Sequence, residues 1–305
     1  MRKSALQLIA VIVGITCLAL AHEFLADHET RTERYIPPGI ESPEDWKKAN
    51  HFGDLGRKAI NEGDNKLAVQ HFESAIELYG SASNAQQRAS AYPYAFRGLA
   101  LSRLDRLDEA LASVNKAIKL WPDGALSYYA RGRIYAGEGR DKDAVADYTQ
   151  SIELLPSYSW NYRSRGHSYS KLGRYDKALA DYKIFAQRFP TSPHPQIMMA
   201  RAYWKLGKFG DAKTAYGAAI EIDPDNAKAY YWRGRFLSEL KDYHGAIADF
   251  DKAIEIDPKY SAAFSNRGWV YEKQEKIALA RSDYKRAIEL SPSNDWLKNA
   301  AARVR

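Results

Sequence analysis

The chain repeats itself at an interval of 34 residues, and that period constrains its fold more than its length or composition does. One copy runs Tyr230-x-x-Arg233-Gly234-x-x-Leu237, then Ala246-x-x-x-Phe250, Ala253 and Pro258. One interval further on stand Phe264, Arg267, Gly268, Tyr271, Ala280, Tyr284, Ala287 and Pro292. One interval back are Tyr203, Ala212, Tyr216, Ala219 and Pro224, preceded by Tyr162, Arg165, Gly166, Tyr169, Ala178, Tyr182 and Pro190. Earlier copies carry Tyr128, Arg131, Gly132, Tyr135, Ala144, Tyr148 and Pro156, and Tyr94, Arg97, Gly98, Leu101, Ala110, Ala117 and Pro122. The first copy, Phe52-x-x-Leu55-Gly56 with Ala68, Phe72 and Ala75, sits eight residues out of register. The seven copies occupy 49–82, 91–124, 125–158, 159–192, 193–226, 227–260 and 261–294, and places are counted below from the first residue of each.

The spacing within a copy has a physical meaning of its own. Tyr230, Gly234 and Leu237, then Ala246, Phe250 and Ala253, recur every three to four residues, the pattern of one helical face. Lys241-Asp242 between them is a polar turn, so each copy predicts a helix A and a helix B, near Ala227–Leu240 and Tyr243–Ile256 in the sixth. Glycine at the eighth place and alanine at the twentieth remove bulk where the two helices approach. Proline near the end of helix B stops it, since it lacks an N–H and restricts the residue before it. One such pair buries too little to fold alone, whereas stacked pairs share a continuous core. No strand is expected after residue 48. Residues 295–305 carry Trp296, Leu297, Ala300 and Val304 among Lys298, Arg303 and Arg305, which predicts a helix capping the stack.

This skeleton resembles the tetratricopeptide repeat, over residues 49–294. The resemblance implies an all-α, right-handed α-solenoid of stacked antiparallel helix pairs. It also implies that helix A lines a concave groove that takes peptides, with places two, five, six, nine, twelve and thirteen facing it. Place nine holds Arg57, Leu99, Arg133, His167, Arg201, Arg235 and Trp269. Places five and six add Tyr129, Arg163, Tyr231, Trp232 and Asn266, and place two adds Trp160. The candidate peptide contacts are therefore Tyr129, Arg133, Trp160, Arg163, His167, Arg201, Tyr231, Trp232, Arg235, Asn266 and Trp269. Arginines interleaved with large aromatics suit carboxylates and apolar side chains. Chaperone-binding members of this family grip two carboxylates with lysine, asparagine and arginine on three successive helices A. Here Lys228 and Asn266 are isolated pieces of that set, which disfavours such a partner.

One feature departs from the family pattern. Place seven, ordinarily leucine, is arginine in five copies: Arg97, Arg131, Arg165, Arg233 and Arg267. Place 23 is aspartate in four of these: Asp147, Asp181, Asp249 and Asp283. The co-occurrence predicts ion pairs between helices A and B of one copy, with Arg97, which faces Ser113, as the exception.

The remaining sequence sets location and excludes chemistry. Arg2 and Lys3 precede Ala5–Ala21, a run without charge that ends in Ala19-Leu20-Ala21, so residues 1–21 are expected to be a signal peptide or signal-anchor. The acidic flank beyond it places the repeats across a membrane from the amino terminus, on the periplasmic or extracytoplasmic face. Residues 22–48, polar with Pro37-Pro38-Gly39, read as a tether. Cys17 is the only cysteine, so the repeats contain neither disulfide nor thiol nucleophile. The histidines show no metal-ligand spacing, and no phosphate-binding glycine loop or nucleophile elbow is present. No cofactor is expected, and a net charge of +7 does not call for nucleic acid. A non-catalytic adaptor for a protein or peptide partner, assisting an envelope assembly or secretion complex, is the function these features favour. A cytosol-facing membrane receptor or co-chaperone is the alternative, with a glycan-binding protein or groove-built enzyme further behind.

Overall fold

The computed structural model describes residues 43–80 and 84–304, with the side chains of 44–79 and 89–304. The signal or anchor segment and residues 22–42 of the expected tether lie outside them. The described residues form fifteen helices and no strand. The chain divides between Arg174 and Tyr175 into two compact units. The first contains α1 (Pro43–Glu62), α2 (Asn65–Gly80), α3 (Asn84–Ser102), α4 (Leu107–Leu120), α5 (Ala125–Gly137), α6 (Asp141–Leu154) and α7 (Ser159–Lys171). The second contains α8 (Tyr175–Arg188), α9 (Pro193–Lys205), α10 (Phe209–Ile222), α11 (Ala227–Glu239), α12 (Tyr243–Ile256), α13 (Ser261–Lys273), α14 (Ile277–Leu290) and α15 (Asp295–Arg303).

The small residues at places eight and twenty bring each pair together. All seven alanines at place twenty, Ala68 to Ala280, are fully buried. A Cβ added to Gly132 would lie 2.9 Å from the Tyr148 ring, and one added to Gly234 would lie 2.9 Å from the Phe250 ring. Both distances are shorter than packed carbons tolerate, so the helix B aromatic fills the space that glycine leaves. The turn between A and B needs a left-handed residue: φ is +71° at Gly139, +72° at Gly173 and +72° at Gly207. Asp105, Lys241 and Glu275 take the same conformation at the same place without being glycine. Helices α4, α6, α8, α10, α12 and α14 each end two residues before the proline that follows.

Successive pairs share their cores. In the second unit Ile197, Trp204, Tyr216, Ala219, Ala229 and Phe236 form one cluster across α9, α10 and α11. The A helices also touch one another, α9 with α11 and α11 with α13, and in the first unit α1 with α3, α3 with α5 and α5 with α7. Among the described residues, no B helix packs comparably on the next B helix of its unit. Within each unit the A layer is therefore the crowded, inner side.

Two boundaries differ from the sequence expectation. Residues 43–48, assigned to the tether, are helical, because α1 starts at Pro43. Glu44 and Asp45 occupy its first turn, where carboxylates favour the helix dipole. Trp46 packs edge-on against Tyr79 at 5.3 Å and Ala49 is buried, so the early turn is held by core contacts. The eight-residue slip is accommodated as helix: α3 begins at Asn84, ahead of the copy assigned to 91–124. At the other end α15 occupies Asp295–Arg303 and lays Leu297, Ala300 and Val304 against Tyr284 and Ala287.

Candidate functional site

Arginines dominate the A helices, and their place in the repeat decides what holds them. At place seven Arg131 donates from Nε and Nη2 to the two carboxylate oxygens of Asp147, both at 2.8 Å. Arg233 makes the same fork to Asp249 at 2.8 and 2.7 Å, and Arg267 to Asp283 at 2.8 and 2.7 Å. The aspartate side chains are 7–8% exposed, so each pair is desolvated on its acid side. Charge-assisted forks of this kind compensate the burial of both partners. The hydrogen bond to Asp283, outweighing burial, holds the Arg267 guanidinium well above its ordinary pKa. The arginine also lies over the aromatics on its own helix: Arg131 over Tyr128 and Tyr135, Arg267 over Phe264 and Tyr271. Arg165 and Asp181 belong to different units, and their pairing stays an expectation.

A second partner comes from the preceding helix B. Arg131 Nη1 donates to Asn115 at 2.8 Å, Arg165 Nη1 to Thr149 at 3.2 Å, and Arg267 Nη1 to Asp251. All three partners lie sixteen residues back, at place 25 of the copy before. Arg97, expected to be the exception, pairs instead with Glu73 at 2.8 Å, 24 residues back. Those 24 residues are the same sixteen with the eight-residue slip added. Ser113, at place 23 of the same copy, donates its hydroxyl to the Tyr94 carbonyl at 2.8 Å.

Place nine behaves differently. In the second unit Arg201 lies over the Trp232 ring with Cζ 3.9 Å from its centroid, and Arg235 lies 5.0 Å from the same centroid. Neither guanidinium makes a hydrogen bond or ion pair among the described residues. Arg201 is exposed, and Arg235 and Trp232 are half-buried. Stacking on an indole face holds a guanidinium in place while leaving its N–H edges available. Trp269 continues the series on α13, half-buried, with Lys273 Nζ 5.5 Å from its ring. In the first unit Arg133 lies over Tyr129 at 5.9 Å and Arg163 over Trp160 at 5.1 Å, and His167 is exposed.

Several aromatics expected on the surface are core residues instead. Tyr129 is 5% exposed, its ring packed on Tyr148 and edge-on to Tyr158. Trp160 is 6% exposed, and Tyr231 is 8% exposed against Tyr260 and Phe250. Place five sits closer to the next pair than the surface expectation allowed, and the large rings there pack on Tyr158 and Tyr260. Asn266 is half-buried and spends its amide on the Ala262 carbonyl at 2.8 Å. The structure therefore brings Arg201, Trp232 and Arg235 together. Tyr216, whose buried hydroxyl has no partner, belongs to the cluster against which Trp232 packs and is read from the sequence as a repeat aromatic rather than a candidate contact. Its signal was present: both neighbours that serve the equivalent tyrosines elsewhere are tryptophan here. Among the described residues no group of three His, Cys, Asp or Glu side chains could hold a metal ion. None of the described helices is long and apolar enough to cross a membrane.

Comparison with known proteins agrees on the architecture. Profiles of the family described as Tetratricopeptide repeat match residues 97–159, 165–192, 197–261 and 261–294. No curated protein matches the sequence significantly. Among solved structures the fold is similar to that of a tetratricopeptide repeat protein from Parabacteroides merdae. The TM-score is 0.66 at 17% identity, covering 85% of this chain and 99% of that one. It is also similar to the C-terminal part of a repeat-containing protein from Cytophaga hutchinsonii, with a TM-score of 0.57, 18% identity and coverage of 83% and 98%. A thermophilic repeat protein of Thermus thermophilus gives a TM-score of 0.52 at 19% identity, covering 59% of this chain and 98% of that chain.

Proposed function

The chain belongs to the tetratricopeptide repeat family, and from that premise we propose that its A layer binds a peptide segment of a protein partner, as a non-catalytic adaptor. Such repeats generally serve as protein–protein interaction scaffolds, and no catalytic domain is identified in the chain. One observation carries the choice of surface and of ligand chemistry. Arg201 and Arg235 share the Trp232 ring and have no carboxylate of their own, whereas the place-seven arginines of the same unit, Arg233 and Arg267, are already paired. A partner bearing acidic groups next to apolar side chains would supply the missing acceptors and cover the indole. Trp269 would be a further contact on the A helices of the second unit, and Arg133, Arg163 and His167 are the candidates on those of the first.

The adaptor would act on the extracytoplasmic side of a membrane, in an envelope assembly or secretion complex. That location rests on Arg2, Lys3 and the uncharged run Ala5–Ala21. A fusion of residues 1–48 to a reporter active only after export checks it, and an inactive fusion rejects it.

The binding surface is tested by titrating the full chain with fluorescent peptides that combine acidic and apolar residues. The double variant Arg201→Ala/Arg235→Ala should bind such peptides more weakly with unchanged helicity. Equal binding by the variant and the parent would place recognition elsewhere.

A further inference from the structure

Tyr216 is fully buried at the centre of the α9–α10–α11 cluster, and its hydroxyl has no hydrogen-bond partner. Two tyrosines at the same place in other copies are served. Tyr284 donates its hydroxyl to Glu272 Oε2 at 2.6 Å, and the Tyr148 hydroxyl is bonded to Ser164. Around Tyr216 both serving places hold tryptophan: Trp204 stands where Glu272 does, and Trp232 where Ser164 does. A buried hydroxyl without an acceptor is rare, because folding strips its water and returns nothing. The charges that act on this phenol are Arg201, Arg235 and Glu239. Burial raises its pKa above the ordinary 10, the two guanidiniums oppose that shift, and Glu239 adds to it.

Three donors without acceptors thus share one neighbourhood: two guanidiniums stacked on Trp232, and the phenol of Tyr216 in the cluster against which Trp232 packs. Arg201 is exposed and Arg235 half-buried, so both can move off the indole edge without unpacking the core. An anion that reaches the hydroxyl would do so by displacing them. A carboxylate would neutralise one of the two positive charges and present two oxygens. A phosphomonoester near its second ionisation carries up to two negative charges and three acceptor oxygens, one for each donor. Resting on the identification of this surface as the partner-binding one, we propose that Arg201, Arg235 and the Tyr216 hydroxyl form a site for a dianionic phosphoryl group. Its source is either a phosphorylated side chain of the partner or a free phosphorylated small molecule. Glu239 is the opposing charge, and it sets an upper limit on affinity for the empty-handed anion.

The test uses the full chain at fixed ionic strength and pH 7.5, followed by calorimetry and by arginine Nε–H NMR signals. The probes are inorganic phosphate, acetate, and a short peptide containing phosphoserine beside its unphosphorylated form. Phosphate should bind about tenfold more tightly than acetate, the effect of roughly one further charge-assisted hydrogen bond. Arg201→Ala/Arg235→Ala should abolish that preference. Tyr216→Phe should reduce it severalfold while leaving acetate unchanged, and Glu239→Gln should strengthen phosphate binding. A phosphoserine peptide tighter than inorganic phosphate identifies a protein source, and equal affinities identify a free phosphorylated ligand. Phosphate binding no tighter than acetate, or a preference that survives the arginine variant, overturns the site. Acidic peptides would still bind in that event if only the broader adaptor function is right, so the two failures are distinguishable.

Discussion

Arg233 and Arg235 stand two residues apart on α11 and do opposite things. Arg233 turns toward α12 and is forked onto Asp249, whose side chain is 7% exposed. Arg235 turns away from that interface onto Trp232 and meets no acid. Residue type is the same, and so is the helix. The difference is the angle around the helix axis, about 200° between positions two apart. Place seven faces the helix B of its own copy, where a small alanine and an aspartate leave room for a guanidinium. Place nine faces outward from the A layer, where its own helix and the neighbouring A helix meet it: Trp232 serves Arg235 from the same helix and Arg201 from the next. The same arginine is thus a structural tie in one register and an open donor in the other.

Substitutions at the two places separate these roles. The largest effect on stability is expected from Asp249→Ala, which strands a half-buried guanidinium and should cost about 3 kcal/mol by urea unfolding. Arg201→Ala/Arg235→Ala should stay within about 1 kcal/mol of the parent, since it removes stacking from a solvent-facing side. A comparable loss in both variants would erase the distinction. For partner binding the order reverses: each place-nine arginine should be worth about 1.5–3 kcal/mol, read as weaker peptide affinity, and Asp249→Ala nothing beyond its effect on folding.

A gain tests the inter-copy contact. Gly217 occupies place 25 inside α10, sixteen residues before Arg233, and a Cβ there meets nothing within 4 Å. Gly217→Ala should stabilise by about 1 kcal/mol through helix propensity alone. Gly217→Asp would give Arg233 the second acid that Asp251 gives Arg267, and should match or exceed the alanine variant despite its poorer propensity. An aspartate variant clearly below alanine would show that the preceding copy contributes little. The smallest effect is expected at the exposed Arg97–Glu73 pair, where Glu73→Ala should cost less than about 1 kcal/mol.

Much of this was legible in the sequence because small residues at fixed places leave few alternatives. Gly234, Ala246 and Phe250 together specify how closely α11 and α12 approach, and the observed helices Ala227–Glu239 and Tyr243–Ile256 follow. The arginine–aspartate ties were legible because aspartate at place 23 occurs only in copies with arginine at place seven, Arg97 being the one such arginine without it. The start of α1 was not, since Trp46 and Ala49 become helical through contacts with Tyr79 that lie outside the periodic pattern. Nor was the burial of Tyr129, Trp160 and Tyr231; a large ring at place five packs on the aromatic that precedes the next pair, as Tyr129 does on Tyr158 and Tyr231 on Tyr260. The missing acceptor at Tyr216 depends on two tryptophans from different helices, a coincidence that one copy read alone does not show.

The division of labour between the two arginine registers is tested most directly by the arginine Nε–H spectrum of the intact chain during titration with an acidic, apolar peptide. The signals of Arg201 and Arg235 should move with peptide while those of Arg131, Arg233 and Arg267, locked onto Asp147, Asp249 and Asp283, stay fixed. Movement confined to the locked arginines, with Arg201 and Arg235 unchanged at saturation, would contradict it.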